Sequence, residues 1–462
     1  MVQDIFEKYM VALEDVDPIL YEGMVSKSVG LLLESKGPLA SVGELCRVIV
    51  PTGPTGSVEP AGPAGTTGPV GPAGPVEIPA EVVGFKNGIT LLLPYDNESG
   101  IKPGLKVVAT GRPLSAKVGE ALLGRVVDAL GKPIDGKGPI YYATEYPIFN
   151  TPPHVLKRKR ITEVLSTGIK SIDGCLTIGK GQRIGIFSGS GIGKTTMIGM
   201  IAKYTSADVK VIALIGERGR EVRDFIERDL GEEGLKRSVI VVATSDQAPI
   251  ARIRGAYLAT AIAEYFRDRG KDVIFMMDSV TRFARAQREI GLAVGEPPAT
   301  KGYTPSVFSI LPKLLERSGM AERGSITGIY AVLVEADDID EPISDAVRSV
   351  LDGHIVLSRR LFQKNQYPAV DVLASISRLT PDITSKEHRR YIDKLKQVLS
   401  LYYDAEDLIK IGAYVKGSDE KTDWAIERID EVTEFLKQDT DGGFSFKEIK
   451  KMLFSIFNDK EE

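Results

Sequence analysis

Residues 188–196 read Ser-Gly-Ser-Gly-Ile-Gly-Lys-Thr-Thr; they follow an apolar run at 183–187 and lead into a helical pattern at 196–203. The glycines let backbone N–H groups turn inward around an anion, and the helix N-terminus adds the positive end of its dipole. In this pattern Lys194 is placed to reach the β- and γ-phosphates of a nucleotide, and the Thr195 hydroxyl to ligate Mg²⁺. The stretch therefore predicts a strand, a loop and a helix that hold a nucleoside triphosphate by its phosphates.

Ser188 departs from the strict form of this pattern, which has glycine at that position. A small side chain is compatible with the turn. A glycine-rich turn with a coincidental lysine is the alternative interpretation, and the flanking strand and helix disfavour it. The residues predicted to contact the nucleotide within the loop are Gly189, Ser190, Gly191, Ile192, Gly193, Lys194, Thr195 and Thr196.

The bulk composition is typical of a soluble globular protein of about three domains. The chain has 462 residues, of which 43% are hydrophobic and 26% charged, and its net charge of −4 gives no overall attraction to nucleic acid. Two cysteines far apart in the sequence favour a reduced, cytosolic protein, and three scattered histidines disfavour a zinc site. The sequence shows no recognisable secretory signal and no apolar run of transmembrane length, so we expect any membrane association to pass through partners or a surface helix.

Residues 1–20 form a predicted amphipathic helix ahead of the folded domains. Apolar residues recur at helical spacing between Ile5 and Leu13, acidic residues occupy much of the other face, and Pro18 ends the helix. Two interpretations remain open, namely a helix docked on the rest of the chain and a tail that binds a partner.

Residues 21–98 are predicted to form a small β-barrel, because short apolar runs alternate with turn residues. A Gly/Pro-rich insert at 51–76 interrupts the barrel, and glycine recurs there every third residue from Gly53 to Gly74, except at Glu59. This period is typical of collagen, but the stretch is short for a triple helix. An extended, solvated loop is the favoured interpretation.

Residues 99–383 alternate apolar strand-like runs with helical patterns, such as the one at 251–266. Such alternation predicts an α/β domain in which a mostly parallel sheet carries helices on both faces. Residues 384–462 are predicted to form a helical domain, most clearly at 391–403 and 423–437.

Two carboxylates follow predicted strands of this sheet. Glu217 comes two residues after the strand at 209–215, and Asp278 directly after the strand at 272–277. The carboxyl ends of parallel strands hold ligands in open α/β sheets. Glu217 is therefore placed to orient and deprotonate an attacking water, and Asp278 to stand near a metal. A strand that ends in an acidic residue by chance explains Asp278 equally well in isolation, but the phosphate loop beside it favours a hydrolytic site.

Several motifs follow the phosphate loop in a characteristic order. They are Glu217-Arg218, Met-Asp-Ser-Val-Thr-Arg-Phe-Ala at 277–284, Ala-Gln-Arg-Glu at 286–289, Gly-Glu-Pro-Pro-Ala-Thr-Lys-Gly-Tyr at 295–303, Asp-Gly-His-Ile-Val-Leu-Ser at 352–358, Tyr-Pro-Ala-Val-Asp at 367–371, Ser-Ile-Ser-Arg at 375–378 and Gly-Ala-Tyr-Val-Lys-Gly-Ser at 412–418. With this set the chain resembles, over nearly its whole length, the hexameric ATPases of flagellar and type III secretion export, which are relatives of the rotary ATP synthase catalytic subunit. The resemblance implies a RecA-like P-loop ATPase core at 99–383, between an N-terminal small β-barrel and a C-terminal helical domain.

By position, the resemblance also implies roles for individual residues. The residues implied to be catalytic are Lys194, Glu217, Arg218, Arg282 and Arg378; those implied to order the metal are Thr195, Glu221 and Asp278; and those implied to pack against adenine are Tyr367 and Tyr414. Arg378 would reach the ATP of a neighbouring subunit, where a cation supplied in trans stabilises a charge-rich phosphoryl transition state. Outside the family context, a structural salt bridge for Arg378 and a core aromatic for Tyr367 would be the simpler interpretations.

The resemblance implies ATP and Mg²⁺ as cofactors, a homohexamer, and hydrolysis coupled to export of flagellar proteins through the type III secretion apparatus. The implied partners are a stator-like regulatory protein at the N-terminal helix, an export gate, a central stalk-like protein, and export chaperones and substrates, with no nucleic acid. The implied location is the cytoplasm at the base of the flagellar export apparatus, on the inner face of the cytoplasmic membrane, with peripheral membrane association through partners.

Four alternatives stay open at this point. A virulence (injectisome) secretion ATPase and a rotary ATP synthase catalytic subunit would share the same site. An RNA-translocating hexameric motor is disfavoured because residues 21–98 contain few aromatic or basic residues for base stacking and backbone contacts. A non-hydrolysing structural ring subunit is disfavoured because all the reacting groups are present.

Overall fold

The structure is a computed structural model, and it describes residues 21–51, 75–96, 100–334, 338 and 341–458. The amphipathic helix predicted at 1–20 and residues 52–74 of the Gly/Pro-rich insert lie outside these ranges. The chain divides into two compact units, of which the first contains a β-barrel and the second contains a large sheet and the C-terminal helices.

The barrel is built from six strands, namely β1 (Glu22–Val29), β2 (Leu32–Lys36), β3 (Glu44–Val50), β4 (Val76–Lys86), β5 (Ile89–Pro94) and β6 (Lys106–Pro113). They close in the order β1-β2-β5-β4-β3-β6, as the predicted small barrel requires. Buried residues alternate along the strands, as Cys46 and Val48 do in β3, because successive side chains point to opposite faces. Asn87 and Gly88 join β4 to β5 with φ of 52° and 75°, which is the backbone that an Asn-Gly hairpin turn favours.

The barrel ends later than the predicted boundary at residue 98. Strand β6 pairs with both β1 and β3, and it thereby closes the barrel. Without β6, the backbone N–H and C=O groups of those two strands would form open edges. The turn residues at 100–104 therefore belong to the loop before the last strand rather than to a linker between domains.

The described part of the second unit contains eleven strands: β7 (Ser115–Val118), β8 (Arg125–Asp128), β9 (Thr144–Pro147), β10 (Arg183–Ser188), β11 (Val209–Ile215), β12 (Ser238–Ala243), β13 (Asp272–Asp278), β14 (Gly319–Met320), β15 (Ser325–Leu333), β16 (Gly353–Leu357) and β17 (Val370–Ser377). Nine of them form one sheet in the order β17-β16-β10-β15-β13-β11-β12-β8, with β14 on β15. The pairings from β16 to β8 are all parallel, and β14 and β17 are added antiparallel. The predicted mostly parallel sheet is confirmed.

Helices precede and follow these strands along the chain. They are α1 (Lys170–Cys175), α2 (Lys194–Tyr204), α3 (Gly219–Asp224), α4 (Gly231–Lys236), α5 (Pro249–Asp268), α6 (Val280–Ala293), α7 (Pro305–Leu315), α8 (Pro342–Val350), α9 (Arg359–Gln363), α10 (Thr380–Ile383), α11 (Lys386–Lys410), α12 (Glu420–Leu436) and α13 (Phe446–Phe457). A π-helical segment, Phe225–Leu230, connects α3 to α4. Every residue of β11 is buried, which is typical of a parallel strand covered on both faces.

The three long C-terminal helices each begin at a side-chain cap. Ser385, Asp419 and Ser445 accept hydrogen bonds from backbone N–H groups in the first turns of α11, α12 and α13. Such caps satisfy donors that a helix N-terminus leaves unpaired. In the part of the chain that the structure describes, none of the helices has the length and apolar character needed to cross a membrane.

Candidate nucleotide site

The phosphate loop joins the central strand β10 to α2, and the helix begins at Lys194, two residues before the predicted start. Gly191 and Gly193 have φ of +76° and +89°, which L side chains rarely adopt. A Cβ atom at Gly193 would also stand 3.3 Å from the ring of Tyr367. Gly193 is the N-cap of α2 and supplies no side chain to cap it, so the first N–H groups of the helix are available to an anion.

The loop lines a cavity of about 460 Å³. The residues that line it are Gly189, Ser190, Gly191, Gly193, Lys194, Thr195, Thr196, Glu217, Arg218, Glu221, Arg282, Leu333, Phe362 and Tyr367. Most of the predicted site residues are therefore brought to one place by the fold. Ile192 is buried beneath the loop and does not line this cavity.

Glu217 and Asp278 meet because β11 and β13 are neighbours, with Leu214 opposite Asp278. The Lys194 ammonium donates a hydrogen bond to Asp278 Oδ1 and stands 3.8 Å from Glu217 Oε1. Arg282, in the first turn of α6, donates from its terminal nitrogen to Glu217 Oε2 at 3.2 Å. Two cations and two carboxylates therefore form one cluster at the carboxyl end of the sheet, beside the phosphate loop.

The surroundings of Glu217 alter its ionisation. Its burial and the negative charge of Asp278 raise the pKa of Glu217 to about 7, although the cations of Lys194 and Arg282 lower it. Its Oε1 atom is buried and stands 3.1 Å from Arg282 Nε in an ion pair, but no residue that the structure describes donates an aligned hydrogen bond to it. A carboxyl group with a pKa near neutrality and an oxygen without an aligned hydrogen bond is suited to accept a proton from water.

The predicted metal residues fit a magnesium ion that arrives with a nucleotide. Thr195 and Glu221 line the cavity, whereas Asp278 is 1% exposed and lies behind Lys194. The described residues contain no group of three or more His, Cys, Asp or Glu side chains arranged around a common metal position. This is compatible with Mg²⁺, which proteins commonly hold with one or two carboxylates together with phosphate oxygens and water.

Arg218 and Arg378 are exposed and lie outside the cluster of two cations and two carboxylates. Arg218 lines the cavity but is largely exposed, and its nearest recorded carboxylate is that of Glu221, at 3.5 Å. Arg378 follows the last residue of β17, is exposed, and does not line the cavity of its own chain. An arginine in this position is available to a neighbouring molecule rather than to its own phosphate loop.

A second cavity of about 520 Å³ shares Gly193, Thr196 and Tyr367 with the first. Its far wall is formed by residues 438–441, which follow α12. The backbone N–H of Gln438 donates to the Tyr367 carbonyl at 2.7 Å. The two cavities are therefore adjacent, and Tyr367 stands where they meet.

Tyr414, the other residue predicted to pack against adenine, lies away from the two cavities. It lines neither cavity, and its hydroxyl donates to Asp423 at 2.9 Å in the first turn of α12. Phe362 takes the place of a second ring, since it lines the first cavity with its centroid 5.2 Å from that of Tyr367. Phe362 and Gln438 were not predicted from the sequence; an aromatic residue five positions before Tyr367 was the available signal for Phe362.

Comparison with known proteins identifies the family of the chain. The ATP synthase alpha/beta family, nucleotide-binding domain, matches residues 168–377, and the T3SS EscN ATPase C-terminal domain matches residues 384–455. The flagellum-specific ATP synthase of Bacillus subtilis is 53% identical over 97% of this chain and 98% of its own length. The type 3 secretion system ATPase of Xanthomonas euvesicatoria is 47% identical over 95% of this chain and 94% of its own.

Solved structures agree with these relatives. The assembled ATPase EscN from the enteropathogenic E. coli type III secretion system superimposes with a TM-score of 0.84 at 41% identity, over 94% of this chain and 99% of that one. EscN has also been solved in complex with its central stalk EscO, and that structure gives a TM-score of 0.83. With its phosphate loop, its parallel sheet and its C-terminal helices all matched, the chain is an ATP-binding ATPase that belongs to the family of flagellum-specific ATP synthases and type 3 secretion system ATPases.

Proposed function

We propose that this chain hydrolyses Mg²⁺-ATP to drive the export of flagellar proteins through a type III secretion apparatus. The observation that carries the hydrolytic part is Glu217, a buried carboxyl group beside the phosphate loop, which has a raised pKa and an oxygen, Oε1, that accepts no aligned hydrogen bond from the described residues. The export part rests on the names of the relatives in bacteria such as Bacillus subtilis.

Each group at the site has a distinct task in this reaction. The N–H groups of residues 189–195 hold the phosphates, and Lys194 moves from Asp278 to the β- and γ-phosphates when nucleotide binds. The Thr195 hydroxyl and, through water, Glu221 and Asp278 would hold Mg²⁺, which supplies charge neutralisation to the transferring phosphoryl group. Glu217 orients the attacking water and accepts its proton, while Arg282 keeps the carboxylate in place.

The position of adenine is assigned from the geometry of the cavity, whereas the roles of Arg218 and Arg378 follow from the family resemblance. The rings of Tyr367 and Phe362 flank the space that a base would enter from the phosphate loop. Arg218 supports the γ-phosphate region from the rim of the cavity. Arg378 acts on the ATP of the adjacent subunit, so that a complete site forms only in an assembled ring.

The proposed assembly is a homohexamer around a central stalk-like protein. Its support is that the related ATPase EscN has been solved both as an assembled ATPase and with its central stalk EscO. The further proposed partners are a stator-like regulatory protein at residues 1–20, the export gate, and export chaperones and substrates. The proposed location is the cytoplasmic face of the inner membrane at the flagellar base, reached through these partners.

A deletion and replacement experiment in the source cell tests this function. Cells that lack the chain are expected to stop releasing flagellar filament protein into the medium, and the unaltered chain should restore release. Lys194→Ala should not restore it, whereas Glu227→Gln, an exposed change in the π-helical segment, should. Normal flagella in the deletion strain would contradict the flagellar assignment.

The injectisome alternative keeps a specific observation in its favour, since the Xanthomonas euvesicatoria type 3 secretion system ATPase matches nearly as much of the chain. Loss of another type III cargo from the deletion strain, with flagella intact, would support that alternative. The same relatives favour export over a rotary synthase subunit or an RNA-translocating motor.

A further inference from the structure

Arg378 is exposed at its side chain but held firmly at its main chain. Its N–H donates to the carbonyl oxygen of Asp352 at 3.0 Å, just beyond the antiparallel pair formed by Gly353 and Ser377. The same carbonyl accepts a second hydrogen bond, at 3.2 Å, from the side-chain amide of Gln182. The main chain of Arg378 is therefore fixed by contacts outside its own strand.

Gln182 is the centre of this arrangement. It is fully buried, and its amide nitrogen also donates to the Ser377 hydroxyl at 3.0 Å. That hydroxyl in turn donates to the carbonyl of Thr177 at 2.8 Å, and the Gln182 carbonyl oxygen accepts from the N–H of Gly179 at 2.8 Å. The amide nitrogen of Gln182 thus joins the residue before β16 to the last residue of β17, and its carbonyl oxygen is held by Gly179.

Asp352 is held from its other side by Arg183. The carboxylate accepts from the Arg183 N–H at 3.0 Å and from two guanidinium nitrogens at 3.1 and 3.2 Å, and the Asp352 N–H donates back to the Arg183 carbonyl at 2.9 Å. Paired bonds of this kind between a guanidinium and a carboxylate fix orientation as well as distance. Gln182 and Arg183 stand at the amino end of β10, whose carboxyl end enters the phosphate loop.

We propose that Gln182 and Asp352 are positioning residues, which hold the main chain of Arg378 so that its side chain meets the nucleotide of the neighbouring subunit. The proposal rests on the trans role of Arg378 given above. A misplacement of about 1 Å at a reacting group costs about 10²-fold in rate, so a long side chain on an exposed strand end needs a rigid base. Strand β10, about 20 Å long, then has the loop that binds ATP at its carboxyl end. At its amino end are the residues that hold the main chain of Arg378.

The first experiment separates nucleotide binding from the transition state. Purified rings of Gln182→Ala or Asp352→Asn are tested for ADP affinity and for retention of ADP–aluminium fluoride, a mimic of the transferring phosphoryl group. We expect ADP affinity to stay near that of the unaltered protein, while retention of the mimic falls about tenfold to 10²-fold. Asp135→Asn is the matched control, because Asp135 pairs with Arg125 through two hydrogen bonds of 2.7 and 2.9 Å in the same sheet, and it should lose neither property. Parallel loss of ADP affinity would overturn the proposal.

The second experiment asks whether the defect belongs to the neighbouring site. Each variant is mixed in equal amounts with Lys194→Ala, which lacks a working phosphate loop but keeps Gln182, Asp352 and Arg378. In a randomly mixed ring, half of the subunits have a working phosphate loop, and half of those lie beside a neighbour with unaltered Gln182, Asp352 and Arg378. About a quarter of all subunits should therefore retain the mimic. Gln182→Ala provides the test if Asp352→Asn fails to assemble, since it leaves no buried charge unpaired.

Mixtures of Arg378→Ala with Lys194→Ala distinguish the possible failures. Recovery with Arg378→Ala but none with Gln182→Ala or Asp352→Asn would overturn the positioning role and leave the proposed function intact. No recovery with Arg378→Ala would contradict the trans arginine itself, and with it this inference. Recovery with all three variants is the expected result.

Discussion

Two buried pairs of arginine and glutamate in the same compact unit have opposite hydrogen-bonding states. Arg317 and Glu264 are 1% and 0% exposed at their side chains, and Arg317 donates to both Glu264 oxygens, at 2.9 and 2.7 Å, and to the Ile148 carbonyl. Arg282 and Glu217 are 27% and 9% exposed, and although Arg282 Nε stands 3.1 Å from Glu217 Oε1, neither atom makes an aligned hydrogen bond with a described residue.

The difference follows from where each pair lies. Glu264 is in the interior of α5, where an unmet buried charge would only weaken the fold, so its partners are all present. Glu217 follows β11 at the carboxyl end of the sheet, where ligands bind in open α/β folds, and its incomplete pairing leaves an oxygen for water. In these two pairs, the fully hydrogen-bonded carboxylate lies in the interior of a helix, and the incompletely hydrogen-bonded one lies beside the phosphate loop.

The largest expected effect is on the site cluster. Lys194→Ala should lower ATP turnover by about 10³-fold or more, because it removes the cation that meets the β- and γ-phosphates. It should also leave the charges of Asp278 and Glu217 facing each other without that cation. Steady-state ATPase assays and thermal unfolding check this, and turnover within tenfold of the unaltered protein would contradict it.

Breaking the satisfied pair should act on stability alone. Glu264→Gln leaves the Arg317 charge buried without its partner, and we expect a loss of about 3–5 kcal/mol in the free energy of unfolding. Denaturant unfolding measures this, and ATP turnover at a temperature where the variant is folded should stay near normal. Glu233→Gln, in an exposed pair with Lys236, is the control and should change neither quantity. Loss of turnover without loss of stability would remove the distinction between the two pairs.

The raised pKa of Glu217 predicts an acid limb in the pH profile. Below about pH 7 the Glu217 carboxyl is protonated in the free enzyme and accepts no further proton, so log kcat/KM should rise with unit slope up to about pH 7 and then level off. Rate measurements between pH 5.5 and 8.5 (about three units around this value) test it. A profile whose acid limb lies near pH 4 would show that burial does not set the ionisation of Glu217.

The smallest effects are expected at the aromatic residues. Tyr367→Ala should raise the KM for ATP about tenfold, because the ring stands where the two cavities meet and base stacking is lost. Tyr414→Ala should leave KM unchanged, since its hydroxyl is bonded to Asp423 away from both cavities. Equal increases in KM for the two variants would restore the predicted adenine role of Tyr414.

Local patterns carried most of what could be predicted from sequence. The phosphate loop is contiguous, and the rule that ligands gather at the carboxyl ends of parallel strands was enough to bring Glu217 and Asp278 together. The features that were not predicted depend on distant contacts. Gln438, for example, bonds to Gly168 and lies beside Tyr367 only after the C-terminal helices have packed. The barrel boundary failed for a similar reason, because β6 is identified by its pairing with β1 and β3 rather than by its own residues.

The measurement that tests the central claim most directly is ATP binding and turnover in Glu217→Gln, with the exposed change Glu227→Gln as its control. The amide keeps the size of the side chain but accepts no proton, so we expect ATP affinity to stay within a few-fold while kcat falls by about 10²-fold or more. Glu227→Gln should match the unaltered protein in both. Near-normal turnover in Glu217→Gln would contradict the assignment of this carboxyl group as the catalytic base, and with it the contrast between the two buried pairs.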